Sequence, residues 1–172
     1  MEKLRRLPRG NRRDLVFGSI AVLVVIADQL TKWWIKANLA LGQVMFDAGF
    51  FQIIHIKNTG VSFGLFKEHT EIIIGVVFVE IIIILLVVYF LRNRLSFLDG
   101  MLMRAGIGLV IGGAIGNQVD RIVQGHVTDF LDFKVWPAFN VADSAAVVGT
   151  IIVAYCVLFK SGLTKPKNER QV

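Results

Sequence analysis

Apolar residues in this chain neither alternate nor recur as one-sided stripes; they run on. Uncharged stretches such as Ile72 to Val79, Ile81 to Leu91 and Ala105 to Gly116 exceed the short periodic runs with which a soluble helix or strand turns one face to a core. Four segments reach the ~20 residues that a helix rising ~1.5 Å per residue needs to cross about 30 Å of hydrocarbon. They lie near residues 15–37, 71–91, 101–121 and 138–160. The pattern therefore predicts a membrane all-α bundle of four transmembrane helices in one domain over 1–172. The connections 38–70 and 122–137 lie on one side of it. From Val44 to Phe66 the first connection is rich in Phe, Ile and Val, punctuated by Gly49, Gly60 and Gly64. That composition predicts short strands, an extracytoplasmic β-rich platform on the membrane surface that could act as a lid.

Composition strengthens this picture. Of the 172 residues 55% are hydrophobic and 19% charged, and mean hydropathy is +0.63, against roughly 45–50% apolar and ~25% charged in soluble domains. The net charge of +6 does not point to nucleic acid, because the basic residues sit at the ends of apolar runs. Lys3, Arg5, Arg6, Arg9, Arg12 and Arg13 precede the first span, Arg92, Arg94 and Arg104 surround the second connection, and Lys160, Lys165, Lys167 and Arg170 follow the last. Cytoplasmic loops concentrate such residues, so both termini are expected in the cytoplasm. The first span is expected to be retained, since Asp28, Gln29, Thr31 and Lys32 follow its apolar run without a small-residue cleavage site. Trp33, Trp34 and Trp136 fall where an interfacial aromatic belt would lie, and anchoring is their expected role.

Ionisable groups within spans are expensive and mark function by default. Asp28 lies ~13 Å of helix rise before the end of span one. Gly113, Asn117, Asp120 and Arg121 occupy the end of span three, and Asn140, Asp143 and Ser144 the start of span four. Asp129 and Asp132 lie on the connection between them, and Asn58 with Gly60 on the first external connection. Every external segment thus delivers polar groups to one layer. Asn117 and Arg121 are about 40° apart on a helix, which makes that end of span three polar on one face. Gly108, Gly112 and Gly116 form a small-residue strip beside it, suited to close helix packing.

The residue types limit the chemistry. His55, His69 and His126 are isolated and the single cysteine, Cys156, lies in an apolar run, so neither a metal nor a cofactor is expected. Ser62 and Ser144 have no neighbouring base in the sequence. Aspartates are abundant, and two carboxyl groups within a few ångströms share one proton, the arrangement of an aspartic hydrolase. From spacing alone such a pair could come from Asp28, Asp120, Asp129, Asp132 and Asp143. Asp28 and Lys32, at i and i+4, also suit a supporting ion pair, Arg121 could pair locally with Asp120, and Asn58 could be a turn residue. Glu80, in the middle of span two, has no functional account.

DQLTK at Asp28 to Lys32, NTGVSFG at Asn58 to Gly64, GGAIGNQVDR at Gly112 to Arg121, GHVTDF at Gly125 to Phe130 and FNVADS at Phe139 to Ser144 together closely resemble the bacterial lipoprotein signal peptidases, or type II signal peptidases. The resemblance implies an inner-membrane aspartic endopeptidase with four helices and an external platform. It assigns the catalytic dyad to Asp129 and Asp143, substrate-lining roles to Asn58, Asn117, Arg121 and Asn140, and a supporting role to the pair Asp28 and Lys32. It implies as substrate a diacylglyceryl-modified prolipoprotein cut just before the lipidated cysteine, in contact with membrane lipid. We expect a monomer. The alternative from another class is a small proton- or ion-coupled transporter, for which no inverted repeat is visible; a non-catalytic membrane scaffold is a third.

Overall fold

The computed structural model describes residues 9–60, 70–91, 98 and 100–160. Four long helices, α1 (Arg9–Asn38), α2 (Thr70–Leu91), α3 (Met101–Gln124) and α4 (Val141–Tyr155), are joined on one side by strands β1 (Val44–Asp47), β2 (Gln52–Asn58) and β3 (Val127–Asp132). A π-helical turn, Cys156–Lys160, extends α4. Each expected span coincides with a helix; the largest displacement is at the start of α1, which begins at Arg9 rather than 15, and α4 begins at Val141 rather than 138. By length and composition three of the helices can cross a membrane, over Asp14–Asn38, Glu71–Phe90 and Val141–Phe159.

The fourth, α3, is long enough but more polar, and its position explains the composition. It packs between α1 and α4, so Arg104, Gln118, Asp120 and Arg121 are buried in protein instead of facing lipid. Its glycines permit this. A Cβ on Gly112 would lie 2.8 Å from the Ala21 carbonyl oxygen of α1, and one on Gly149 of α4 would lie 2.6 Å from the Gly106 carbonyl oxygen. Each helix thus approaches α3 to backbone contact, as small residues allow in membranes. The helix α2 is the opposite case. Apolar all round, it rests on the periphery of α3, with Gln118 donating to the Ile74 carbonyl oxygen at 2.9 Å, and Glu80 is exposed on its surface.

Two apolar clusters hold the ends. Leu98, Met103, Ile107, Ile111 and Cys156 form the core far from the strands. There Arg104, in the first turn of α3 beside the short connection, is buried and paired with Asp14 at 3.2 Å. Ile35, Leu39 and Phe130 seat the sheet on the end of α1. The sheet is antiparallel in the order β1-β2-β3, so both external connections contribute to one platform. Ile56 faces Asp129 and Asn58 faces Val127 across the ladder, with an irregularity between Ile53 and Ile56. Alternation along β3 turns Phe130 into the core and leaves Asp129 on the opposite face. Expectations for residues 61–69, including His69, Ser62, Gly64 and the lid up to Phe66, lie outside the described residues.

Candidate active site

Helix α4 starts by folding its own first turn around a polar pair. Asn140 is the N-cap: its side-chain oxygen accepts from the Asp143 amide at 3.0 Å, and the Asp143 carboxylate accepts from the Asn140 amide at 3.1 Å. This reciprocal capping box fixes Asp143 by its Oδ2. The other oxygen, Oδ1, accepts from Asn117 Nδ2 of α3 at 2.8 Å. The Ser144 hydroxyl donates to the Asn140 carbonyl oxygen at 2.9 Å, closing the same turn.

Asp129 enters from β3. Its Oδ1 accepts from Asn140 Nδ2 and its Oδ2 from Asn58 Nδ2, both at 2.8 Å. Asn140 therefore binds both aspartates, one through its side-chain amide and the other through its backbone. Asn58 has two roles, since its Oδ1 also accepts from the Gly60 amide at 3.0 Å, so the turn residue and the carboxyl ligand are one side chain. Asp129 is 2% exposed. Burial, only partly offset by the Asn58 hydrogen bond and reinforced by the charge of Asp143, pushes its pKa up to about 7.

Below this layer lies a second one. The Lys32 ammonium contacts Asp28 Oδ2 at 2.8 Å, Asp120 Oδ2 at 3.3 Å and Asn117 Oδ1 at 2.9 Å, and it is wholly buried. Each partner then acts on a segment that carries an upper aspartate. Asp28 Oδ1 accepts from the Ala142 amide at 2.9 Å, Asp120 accepts from the Thr128 amide at 3.0 Å, and Asn117 holds Asp143. Asp120 thus pairs with α1, not with its neighbour Arg121, because successive helical residues point about 100° apart. Arg121 has no ion pair among the described residues. It lies within the electrostatic reach of Asp143, Asp129 and Asp120 and on the wall of the cavity above them.

That cavity has a volume of about 1060 Å³. Asn58, Gly60, Asn117, Arg121, Asp129, Asp143 and Ser144 line it on the polar side. Asp28, Lys32 and Asp120 are not among its lining residues, and neither is Asp132, which is occupied with Gln52 at 2.6 Å and the Lys134 amide at 2.7 Å. Of the five aspartates open from spacing, two face the cavity. Sequence reasoning missed three contributors. Gln29 bridges Asp28 and the Gly116 carbonyl oxygen, Thr128 carries the amide that holds Asp120, and Trp136, expected as an anchor only, lines the cavity with Pro137 and Phe139. Gln29 and Thr128 stand inside the quoted motifs DQLTK and GHVTDF, which was the available signal. Among the described residues no three His, Cys, Asp or Glu side chains are grouped to hold a metal ion.

Residues 20–159 match the family model described as signal peptidase (SPase) II. The chain belongs to the signal peptidase II family. It is a membrane protease, and membership in that family leaves the transporter and scaffold readings without support. It is 42% identical over 158 residues to a lipoprotein signal peptidase of Dehalococcoides mccartyi, covering 91% of this chain and 98% of that one. A lipoprotein signal peptidase of Moorella thermoacetica is 38% identical over 144 residues, covering 83% and 93%. A bacterial membrane enzyme solved by the in meso method at 2.3 Å superimposes with a TM-score of 0.69 at 30% identity, covering 88% of this chain and 92% of that one.

Proposed function

We propose that this signal peptidase is an aspartic endopeptidase that removes the signal peptide from diacylglyceryl-modified prolipoproteins, cutting just before the lipidated cysteine, with Asp129 and Asp143 as its dyad. The observation that carries the reading is that these two carboxyl groups are joined through Asn140, open to one cavity, and are held by neutral amide donors, with no ammonium or guanidinium bonded to either among the described residues. Such a pair shares a proton. The proton belongs to the pair as a unit.

One carboxylate of the dyad takes a proton from a water molecule as the water oxygen attacks the scissile carbonyl carbon, while the other, protonated carboxyl gives its proton to the carbonyl oxygen. The resulting diol collapses when a carboxylate takes back a hydroxyl proton and the other carboxyl protonates the departing amine, breaking the C–N bond. Arg121 and Asn117 are placed to hold the substrate backbone, and Ser144 and Gly60 to shape the wall. Asp28, Lys32 and Asp120 support the pair from below. The positive-inside distribution supports cytoplasmic termini and a site at the extracytoplasmic face of the bacterial inner membrane, where a lipid-anchored precursor presents its cleavage site. One domain acting as a monomer is the simplest form, since both carboxyl groups come from one chain.

The test is cleavage of a purified diacylglyceryl-modified precursor by the wild type, Asp129→Asn and Asp143→Asn, with folding checked for all three. Cleavage before the lipidated cysteine by the wild type alone is expected; processing by either variant at the wild-type rate overturns the dyad.

A further inference from the structure

Lys134 is the one non-glycine residue with a positive φ among the described residues, at 61°. A side chain is rarely accommodated in the left-handed region, so something must hold the lysine there. Its amide donates to Asp132 Oδ1 at 2.7 Å, and the next turn bond, Val135 amide to Phe133 carbonyl oxygen, is also 2.7 Å. Its ammonium donates to both oxygens of Asp47, each at 2.8 Å. Asp47 closes β1 and is itself held by the Gly49 amide at 2.7 Å. The Lys134 ammonium, and after it that amide, keep the Asp47 carboxyl below the usual carboxylate range.

Aromatic rings run alongside. Phe133 lies 5.0 Å from Phe51 and stacks nearly parallel on Phe139 at 5.9 Å. The root of the loop over residues 133–137 is thereby tied to the β1–β2 turn, while its far end supplies Trp136 and Pro137 to the cavity wall. An ion pair this exposed, 35% for Lys134 and 48% for Asp47, adds little to global stability. Its effect falls on the loop it restrains.

We propose that the Asp47–Lys134 ion pair is a clasp that sets the position of Trp136 and Pro137, and that Lys134 is a positioning residue for binding of the lipid-bearing precursor. The proposal rests on the function read above. It separates two parts of the site. The dyad is fixed by α3, α4 and the β2–β3 ladder, whereas the opposite wall is fixed by the clasp, so loss of the clasp weakens binding and spares the chemical step.

The test uses the full chain. Lys134→Gly relaxes the backbone and removes the ammonium, Asp47→Asn keeps an oxygen for the Gly49 amide and removes the charge, and Lys134→Arg restores the cation. The first two are expected to raise KM for the lipidated precursor about 3- to 10-fold with kcat within about twofold, and the third to stay near wild type. In a Trp33→Phe/Trp34→Phe background, where Trp136 is the remaining tryptophan, Lys134→Gly should also increase acrylamide quenching of its fluorescence. Unchanged KM in both charge-removing variants, a fall in kcat at constant KM, or unchanged quenching overturns the clasp. If the wild type cleaves no precursor, the proposed function fails instead, and the quenching arm still decides whether the clasp positions Trp136.

Discussion

Two groups of aspartates lie one above the other in this bundle, and burial does not by itself distinguish them: Asp143 is half-buried, but Asp129 is as enclosed as the lower pair. Asp28 is 0% exposed, Asp120 2% and Asp129 2%. Their partners differ. The lower pair shares the Lys32 ammonium, and its oxygens are committed to the Ala142 and Thr128 amides. The upper pair, Asp129 and Asp143, is bonded by Asn58, Asn117 and Asn140, which are neutral. A carboxylate with its own cation serves as structure, because breaking the pair leaves an uncompensated charge. One held by amides alone can gain or lose a proton without losing its place. Counter-charge, more than burial, separates the group that holds from the group that reacts.

The sharpest way to break this comparison is to neutralise the upper pair. Asp129→Asn or Asp143→Asn should lower the cleavage rate by roughly 10²- to 10⁴-fold, with thermal unfolding showing a bundle still intact. Lys32→Met should do the reverse, striking stability first: two buried carboxylates lose their cation, for a loss of roughly 3–5 kcal/mol, and adding Asp28→Asn should recover part of it in the same unfolding measurement.

Proton linkage gives a third contrast. Folding raises the Asp129 pKa from 3.8 to about 7, so between those values the folded protein keeps a proton that the unfolded chain has released. Unfolding free energy should therefore decline as pH rises across that window, by at most about 4 kcal/mol from this group. Unfolding followed at pH 5 and pH 8, with Asp129→Asn as the comparison, checks the slope. The smallest effect is geometric. A methyl group at Gly116 would meet Asp28 Oδ2 at 2.8 Å, whereas one at Gly18 meets nothing within 4 Å. Gly116→Ala is expected to cost about 1–3 kcal/mol, and Gly18→Ala to leave the melting temperature unchanged.

Much of this was legible because membranes impose a simple code. The apolar runs located all four helices, and glycine punctuation with Phe, Ile and Val located β1 and β2, whereas β3, on the second external connection, was not expected. That Asp28, Asn117, Asp120, Asp129, Asn140 and Asp143 gather at one end of the bundle was readable from depth along each span, but the single layer expected there is two, with Asp28 and Asp120 on Lys32 below the cavity. Depth, however, does not say which side chains meet. The pairing of Asp120 with Lys32 instead of Arg121 depends on how α3 is rotated against α1, which its glycine contacts set and no local spacing records. The rule that places cations at helix ends located Arg104 beside its connection but does not supply its partner, Asp14 from a different helix. Trp136 read as an anchor because a tryptophan near an interface is usually one; only the strapped loop brings it to the cavity.

One residue, Asn140, both begins a helix and joins the two aspartates. Helix ends open more readily than helix middles, so warming would dismantle the chemistry by peeling back a single turn while the glycine-packed interior of the bundle stays shut. Heat inactivation and loss of the fold would then be separate events, and a search for a more durable version of the enzyme would begin at residues 139–144.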